Sequence, residues 1–323
     1  MASTSPLVVL GEVRTCLLPS AAALTRDEAG ELLALMPGRA VRWRERPGTL
    51  AISPTIAVGV DCDLALGANT ARVVGTVATG VTLVGGRILQ SSAHTRVVRA
   101  GERRRQTWSH YLSQKGVTEV ISRIPERAAA GTALAEGYLD GRAHGATLDL
   151  ASISERLLAR IRADSRLDQS PPMQAGTTRL RWIARVGGSA GPAVALRLHD
   201  DTTRSVRLIV REEPDLAAAQ RFCEDLAAHD WLLTVTAAAL AEADRFGSAG
   251  RERLDIMAPL LQHVTGLWMP GAHTPPALRG LWKELQNEPG FSRQWSVLTD
   301  RLRDNIAVAM LEAMRHKAFD PGW

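Results

Sequence analysis

The apolar pattern changes character twice along the chain. Through roughly the first 145 residues it falls in short runs separated by Gly and Pro, and 7–18, 40–44, 50–60, 72–78, 81–84, 87–91 and 95–99 read as strands. Several of these runs carry no charge, which predicts burial on both faces. Thr25-Arg-Asp-Glu28 has the form of a capping box and predicts one short helix, ended by Pro37-Gly38. No repeat period is present, which argues against a propeller or a β-helix.

A helix is predicted over 148–164, where Ile153, Leu157 and Ile161 recur every fourth residue. The stretch 169–176, rich in Pro and small polar residues, reads as a linker. Strict alternation then marks 178–186, 192–199 and 204–211, joined by connections of hairpin length. The pattern predicts an antiparallel three-stranded meander over 178–211.

From Pro214 onward the period becomes helical, to about residue 246 and again over 251–268 with a bend at Pro259. Shorter and longer helices follow over 276–286 and 292–317. The last carries an apolar stripe of Trp295, Leu298, Leu302, Ile306 and Met310. Strands, then a meander, then helices predict an α+β fold. Its β-rich region is expected over 1–145, and a second α+β region over 146–323, with helices across 214–318.

Composition is globular, with 45% apolar and 23% charged residues in 323, so disorder is excluded. The formal charge is +5, but Lys115, Lys283 and Lys317 are the only lysines among 39 basic residues. Arginine supplies nearly every cation, so total basicity by itself points to no partner. Position matters more. Alternation places Leu180, Trp182, Leu196, Val206 and Leu208 on one face of the expected meander. Arg179, Arg181, Arg185, Arg197, Arg207 and Arg211 fall on the other. That face suits phosphates, an acidic partner or acidic groups of the same chain, or is a solvated sheet surface. A second cluster, Arg96, Arg99, Arg103, Arg104 and Arg105, precedes Trp108-Ser-His-Tyr111. It fits single-stranded nucleic acid, or a charged loop leading into a helix whose aromatics enter the core. Contacts of this kind are purely guanidinium to phosphate, so any such binding is expected to be strongly salt-dependent.

The helix after Pro214 contains Cys223-Glu-Asp-Leu-Ala-Ala-His229-Asp230-Trp231. Its apolar stripes pass through His229 or Asp230, so a polar group must enter the core and find a partner there. Asp225 and His229 are i, i+4 neighbours able to pair with each other or to share a metal. No third ligand has a matching spacing, so no metal and no cofactor is expected. Phosphate-loop, dinucleotide, nucleophile-elbow and zinc-protease motifs are all missing. Asp61-Cys62-Asp63 and His199-Asp200-Asp201 read as acidic turns. Cys16, Cys62 and Cys223 form neither a disulfide framework nor a zinc ribbon. With no positively charged leader and no long apolar span, a cytoplasmic protein without a membrane span is expected.

The strings LGEVRTCLLPS, RRQTWSHYL, TRLRW, CEDLAAHDWLL, LWMP and FSRQW together resemble an uncharacterised actinobacterial protein family of about this length. Genes of that family sit in small clusters that also encode a variant P-loop protein and a methyltransferase-like protein. The resemblance implies partner proteins encoded nearby, and neither an activity nor a site residue. The expected function is a non-catalytic component of a cytosolic multi-protein system, acting through protein–protein contacts. Two other readings stay open. One is nucleic-acid or phosphate-ligand binding through the arginine-rich faces; the other is an enzyme with a site around Cys223, Asp225, His229 and Asp230.

Overall fold

A computed structural model describes residues 5–67, 69–102, 104–140, 146–187, 191–246 and 250–319. The chain runs β1 (Val8–Leu17), α1 (Arg26–Leu32), β2 (Arg42–Arg44), β3 (Leu50–Ile52), β4 (Ile56–Leu66), β5 (Asn69–Val84) and β6 (Ile88–Arg99). It continues through α2 (Trp108–Leu112), β7 (Val117–Val120), α3 (Arg127–Leu139), α4 (Leu150–Arg162), β8 (Thr178–Val186), β9 (Ala193–Leu198) and β10 (Thr203–Val210). A 3-10 turn over Glu213–Ala218 leads into α5 (Ala219–Asp244), α6 (Gly250–His263), α7 (Leu281–Asn287) and α8 (Phe291–Phe319). Thr25 caps α1 through the reciprocal bonds its spacing predicts. The fold is mixed α and β, strand-rich at its N-terminal end and helical at its C-terminal end.

Among the described residues all ten strands join one sheet, in the order β2-β3-β5-β7-β6-β1-β8-β10-β9 with β4 paired to β5. β1 is its centre, antiparallel to β6 on one side and to β8 on the other. Its odd residues Val9, Val13 and Leu17 face α5 and the helices beyond, while Leu10 and Cys16 face α3 and α4 or α1. Burial on both faces explains why this strand reads as an unbroken apolar run.

Several expectations are corrected. The runs 72–78 and 81–84 belong to one strand, β5, and 87–91 and 95–99 belong to β6. Gly80 does not interrupt β5, because Ser53 Oγ accepts the Val81 N–H at 2.9 Å and the ladder to β6 continues. The segment 50–60 instead divides into β3 and β4. Asp61-Cys62-Asp63 lies inside β4, where Arg72 of β5 bridges Asp61 at 2.6 Å and Asp63 at 3.6 Å across the strands. Beyond the one short helix assigned to the first 145 residues, the chain forms α3, and α2 stands where one reading of the basic cluster places a helix, with Tyr111 buried but Trp108 exposed.

The meander is corrected in its order. All three strands form where alternation places them, but β10 lies between β8 and β9. β9 and β10 form an antiparallel hairpin, whereas β8 and β10 are parallel. Alternation fixes which face a side chain occupies and says nothing about which strand is its neighbour. The hairpin turn is closed by Asp200, whose Oδ1 accepts the Thr202 and Thr203 N–H groups, both at 2.8 Å. The connection from β8 to β9 includes residues 188–190, which lie outside the described residues.

Trp182 is buried opposite the arginines, as parity requires, and its indole lies over Gly11 of β1. A Cβ at Gly11 would overlap that indole. Gly11→Ala is therefore expected to destabilise the fold by about 1–3 kcal/mol through overpacking at the sheet centre. A lowered urea midpoint with an unchanged slope would record it; an unchanged midpoint would show that Trp182 moves aside freely.

Candidate functional site

α5 lies across the sheet and under α6 to α8, and every residue from 222 to 233 is buried. A helix covered on all sides has no solvent face for its charges. Glu224, Asp225, His229 and Asp230 are accordingly all inside, and each contacts a different group.

Asp230 turns toward β10. Its Oδ2 lies 2.6 Å from Arg204 Nε, and both side chains are buried. Arg204 also donates to the Asp200 carbonyl at 2.7 Å and to Thr234 Oγ1 at 2.8 Å. Burial pushes the Asp230 carboxyl up to about 6, against the pull of Arg204. Arg204 shares parity with Val206 and Leu208, so its place on the core face was readable from the alternation.

Glu224 faces β6. Its Oε1 accepts from Ser92 Oγ at 2.7 Å and Gln220 Nε2 at 2.8 Å, and its Oε2 accepts from Arg221 at 2.5 Å. Gln90 Nε2 donates to the Glu224 carbonyl at 2.8 Å and to Thr15 Oγ1 at 3.0 Å. Gln90, Ser92 and His94 alternate along β6, which was the signal that a polar layer faces α5.

His229 is fixed by both ring nitrogens. The Met269 N–H donates to Nε2 at 3.0 Å, so Nδ1 carries the proton and donates to the Asp225 carbonyl at 2.7 Å. The ring is held edge-on to Trp268 and Trp282, with centroids 5.1 and 5.4 Å away. Burial lowers its pKa to about 4. A ring with both nitrogens engaged and no proton to accept at neutral pH is a packing element rather than a base. Asp225 lies beside it, 3.4 Å from Nδ1, and accepts from Thr274 Oγ1 at 2.6 Å. Desolvation raises the Asp225 carboxyl, opposed by the Thr274 hydroxyl and the nearby His273. Cys223 is not part of this group. It sits in the apolar cluster, and burial drives its thiol pKa far up, which removes it as a nucleophile. The structure thus brings together Asp225 and His229 of the four expected residues, and adds His273, Thr274, Glu224 and Arg221, which the sequence reading missed.

The arginine-rich sheet face is covered by α3. Arg179 and Arg181 flank the fully buried Glu12 of β1, and Arg179 bonds to it directly. Arg181 also donates to the Tyr138 carbonyl at 2.9 Å and lies over the Tyr138 ring. Arg207 pairs with Glu136, and Arg185 reaches the Ala128 carbonyl at 3.5 Å. Arg197 and Arg211 remain exposed. In the second cluster Arg104 pairs with Glu102 at 2.5 Å, and Arg105 pairs with Asp61 at 3.2 Å while covering Trp108. Arg103 lies outside the described residues.

Among the described residues no group of three or more His, Cys, Asp and Glu is placed to hold a metal ion. No helix among them is long and apolar enough to cross a membrane. Compared with protein families, with characterised proteins and with solved structures, the chain shows no significant match.

The His229 ring supplies a pH test. The unfolded ring titrates near 6.5 and the folded ring near 4, so the unfolded chain binds more protons between those values. The stability that neutral His229 contributes is complete above pH 6.5 and is lost as pH falls toward 4. Asp230 acts oppositely: its folded carboxyl keeps a proton to about 6, so stability falls as pH rises from 3.8 to 6. The two slopes oppose one another in the wild type, and a difference measurement separates them. The wild type's advantage over His229→Gln is expected to shrink by on the order of 2 kcal/mol from pH 6.5 to 4. An advantage that stays constant across that range would contradict the assignment.

Proposed function

We propose that this chain is a non-catalytic component of a multi-protein system and acts by docking another protein on the outward face of α8. The observation that carries the reading is a second apolar stripe on that helix. Trp295, Leu302 and Ala309 face inward and are buried. On the opposite side Ala307, Met310, Leu311 and Met314 follow the i, i+3, i+4, i+7 spacing and face solvent. Leu311 and Met314 are each 58% exposed, and Met310, expected on the inward stripe with Trp295 and Leu302, is instead 45% exposed because it lies about 80° around the helix from Leu302. Contiguous apolar surface of this kind marks interaction sites, and methionine adapts its shape to a partner.

The partner that fits is a protein presenting an amphipathic helix with an aliphatic stripe. Products of neighbouring genes are the first candidates, on the strength of the family resemblance. Support also comes from the interior, where His229, Glu224 and Asp230 are consumed by structural bonds. The nucleic-acid and phosphate reading loses support for a similar reason, since Arg179, Arg181, Arg185 and Arg207 are engaged by Glu12 and α3. The cytoplasm is the expected compartment.

The test is affinity capture of the tagged chain co-expressed with each neighbouring product. The double variant Leu311→Glu with Met314→Glu is expected to lose at least tenfold in capture while its melting temperature stays within about 2 °C, as for surface changes. Capture unaffected by the double variant would overturn the assignment of the surface. A dimer in light scattering that the variant dissociates would replace the partner protein with a second copy.

A further inference from the structure

One margin of the sheet carries charges that the chain itself does not balance. β2 ends the strand order there and is bonded to β3 on one side only. It lies in the segment Arg39-Ala-Val-Arg42-Trp43-Arg44-Glu45-Arg46, four arginines and one glutamate in eight residues. All four arginines are exposed. Glu45 is taken by Arg26 of α1 at 2.7 Å, and among the described residues no carboxylate pairs with Arg39, Arg42, Arg44 or Arg46. Elsewhere on the surface Arg72, Arg207 and Arg301 stand against Asp61, Glu136 and Asp244.

The register decides which backbone groups of β2 face outward. Ser53 N–H donates to the Val81 carbonyl at 2.9 Å and Gly85 N–H to the Thr49 carbonyl at 2.8 Å, so Ala51, midway between, also bonds to β5. Leu50 and Ile52 therefore turn their backbone groups toward β2, where they meet Arg44 and Arg42. Trp43 is left with its N–H and C=O directed away from the sheet, an open pairing position. Its side chain packs on the α1 side, half-buried, with the Arg26 guanidinium 5.4 Å above the ring. Arg42 and Arg44 project together on the other face.

Charge and geometry together select the occupant. A second copy of β2 centred on Trp43 would set arginine against arginine, and like charges directly opposite one another destabilise a strand pair. A single-stranded nucleic acid needs rings for its bases as well as cations for its phosphates, and Trp43 faces away from the arginines. An extended acidic polypeptide satisfies both the backbone and the charges. Its central residue bonds to Trp43, and the residues on either side of that one bring carboxylates opposite Arg42 and Arg44. We propose that the outer edge of β2 binds an extended segment of a partner protein in which two acidic residues flank one central position. Arg39 and Arg46 attract further carboxylates at its ends. The edge is separate from the α8 surface and adds a contact of different chemistry to the docking role.

The probe is a fluorescently labelled peptide, Thr-Glu-Val-Glu-Val-Glu-Thr, titrated with the full chain and read by anisotropy. At about 50 mM sodium chloride a Kd below about 1 mM is expected, weakening about tenfold or more by about 500 mM. The same peptide with lysine in place of each glutamate is expected to bind at least about tenfold more weakly, because its charges repel the arginines. So is a peptide N-methylated at both valines, which lacks the N–H that pairs with the Trp43 carbonyl. The double variant Arg42→Glu with Arg44→Glu is expected to lose about tenfold or more in affinity, with a melting temperature within about 2 °C of the wild type. Should that variant fold poorly, the lysine and N-methylated peptides on the wild type decide the matter. No binding of the acidic peptide at about 1 mM would overturn the proposal. So would equal binding of the N-methylated peptide, or affinity retained in the folded double variant. A thymidine oligonucleotide of the same charge that binds more tightly than the peptide would overturn it too, assigning the edge to nucleic acid.

Discussion

Burying residues 222–233 of α5 on all sides forces the charged side chains of that stretch to find partners inside the protein. A carboxylate or imidazole taken from water without compensation costs more than a helix of this size can recover from packing alone. The surrounding elements therefore present complementary groups at the right places: Arg204 on β10, Ser92 and Gln90 on β6, and Thr274 with the Met269 amide on the loop after α6. These contacts set the height and rotation of α5 over the sheet. Through Trp268 and Trp282, which meet His229 edge-on, they also seat α7 and α8, with Trp268 stacked on Trp295 at 4.4 Å.

The opposite face of the sheet uses the same principle with the signs exchanged. There the buried Glu12 stands among Arg14, Arg179 and Arg181, and α3 supplies Glu136 to Arg207 and backbone carbonyls to Arg181 and Arg185. α3 can lie this close because its contact residues are small. A Cβ at Gly131 would be 2.7 Å from the Leu7 carbonyl oxygen, and one at Gly137 equally close to that of Ala65. Arginine on a sheet face thus serves here as a hydrogen-bonding layer between strand and helix, leaving the outward stripe of α8 as the more open surface.

Much of this was legible in the residues, within limits that have physical causes. Alternation located β8, β9 and β10 and put Trp182 opposite Arg181, because the two-residue period of a strand is strict. It could not order the strands, since the same faces result whichever strand lies between. The helical period found α4, α5 and α8 but missed α3, whose Ala- and Gly-rich contact surface gives little contrast between its sides. The pairing of Asp225 with His229 followed from their i, i+4 spacing. His273, Gln90 and Ser92 were not associated with them, because their proximity arises from tertiary packing across more than forty residues in every case. Arg204 and the polar alternation of β6 were visible signals of the buried polar layer that the apolar pattern overshadowed.

The central claim is that the charges on α5 are structural, held by compensation from the sheet, and the Arg204–Asp230 pair is its simplest instance. A double-mutant cycle on Arg204→Met and Asp230→Leu, measured by urea unfolding, tests it most directly. Each single change strands one buried charge and is expected to cost about 3–5 kcal/mol, whereas the double change removes both charges and is expected to recover most of that loss. Single losses below about 1 kcal/mol, or a double variant whose loss equals the sum of the two, would contradict the account.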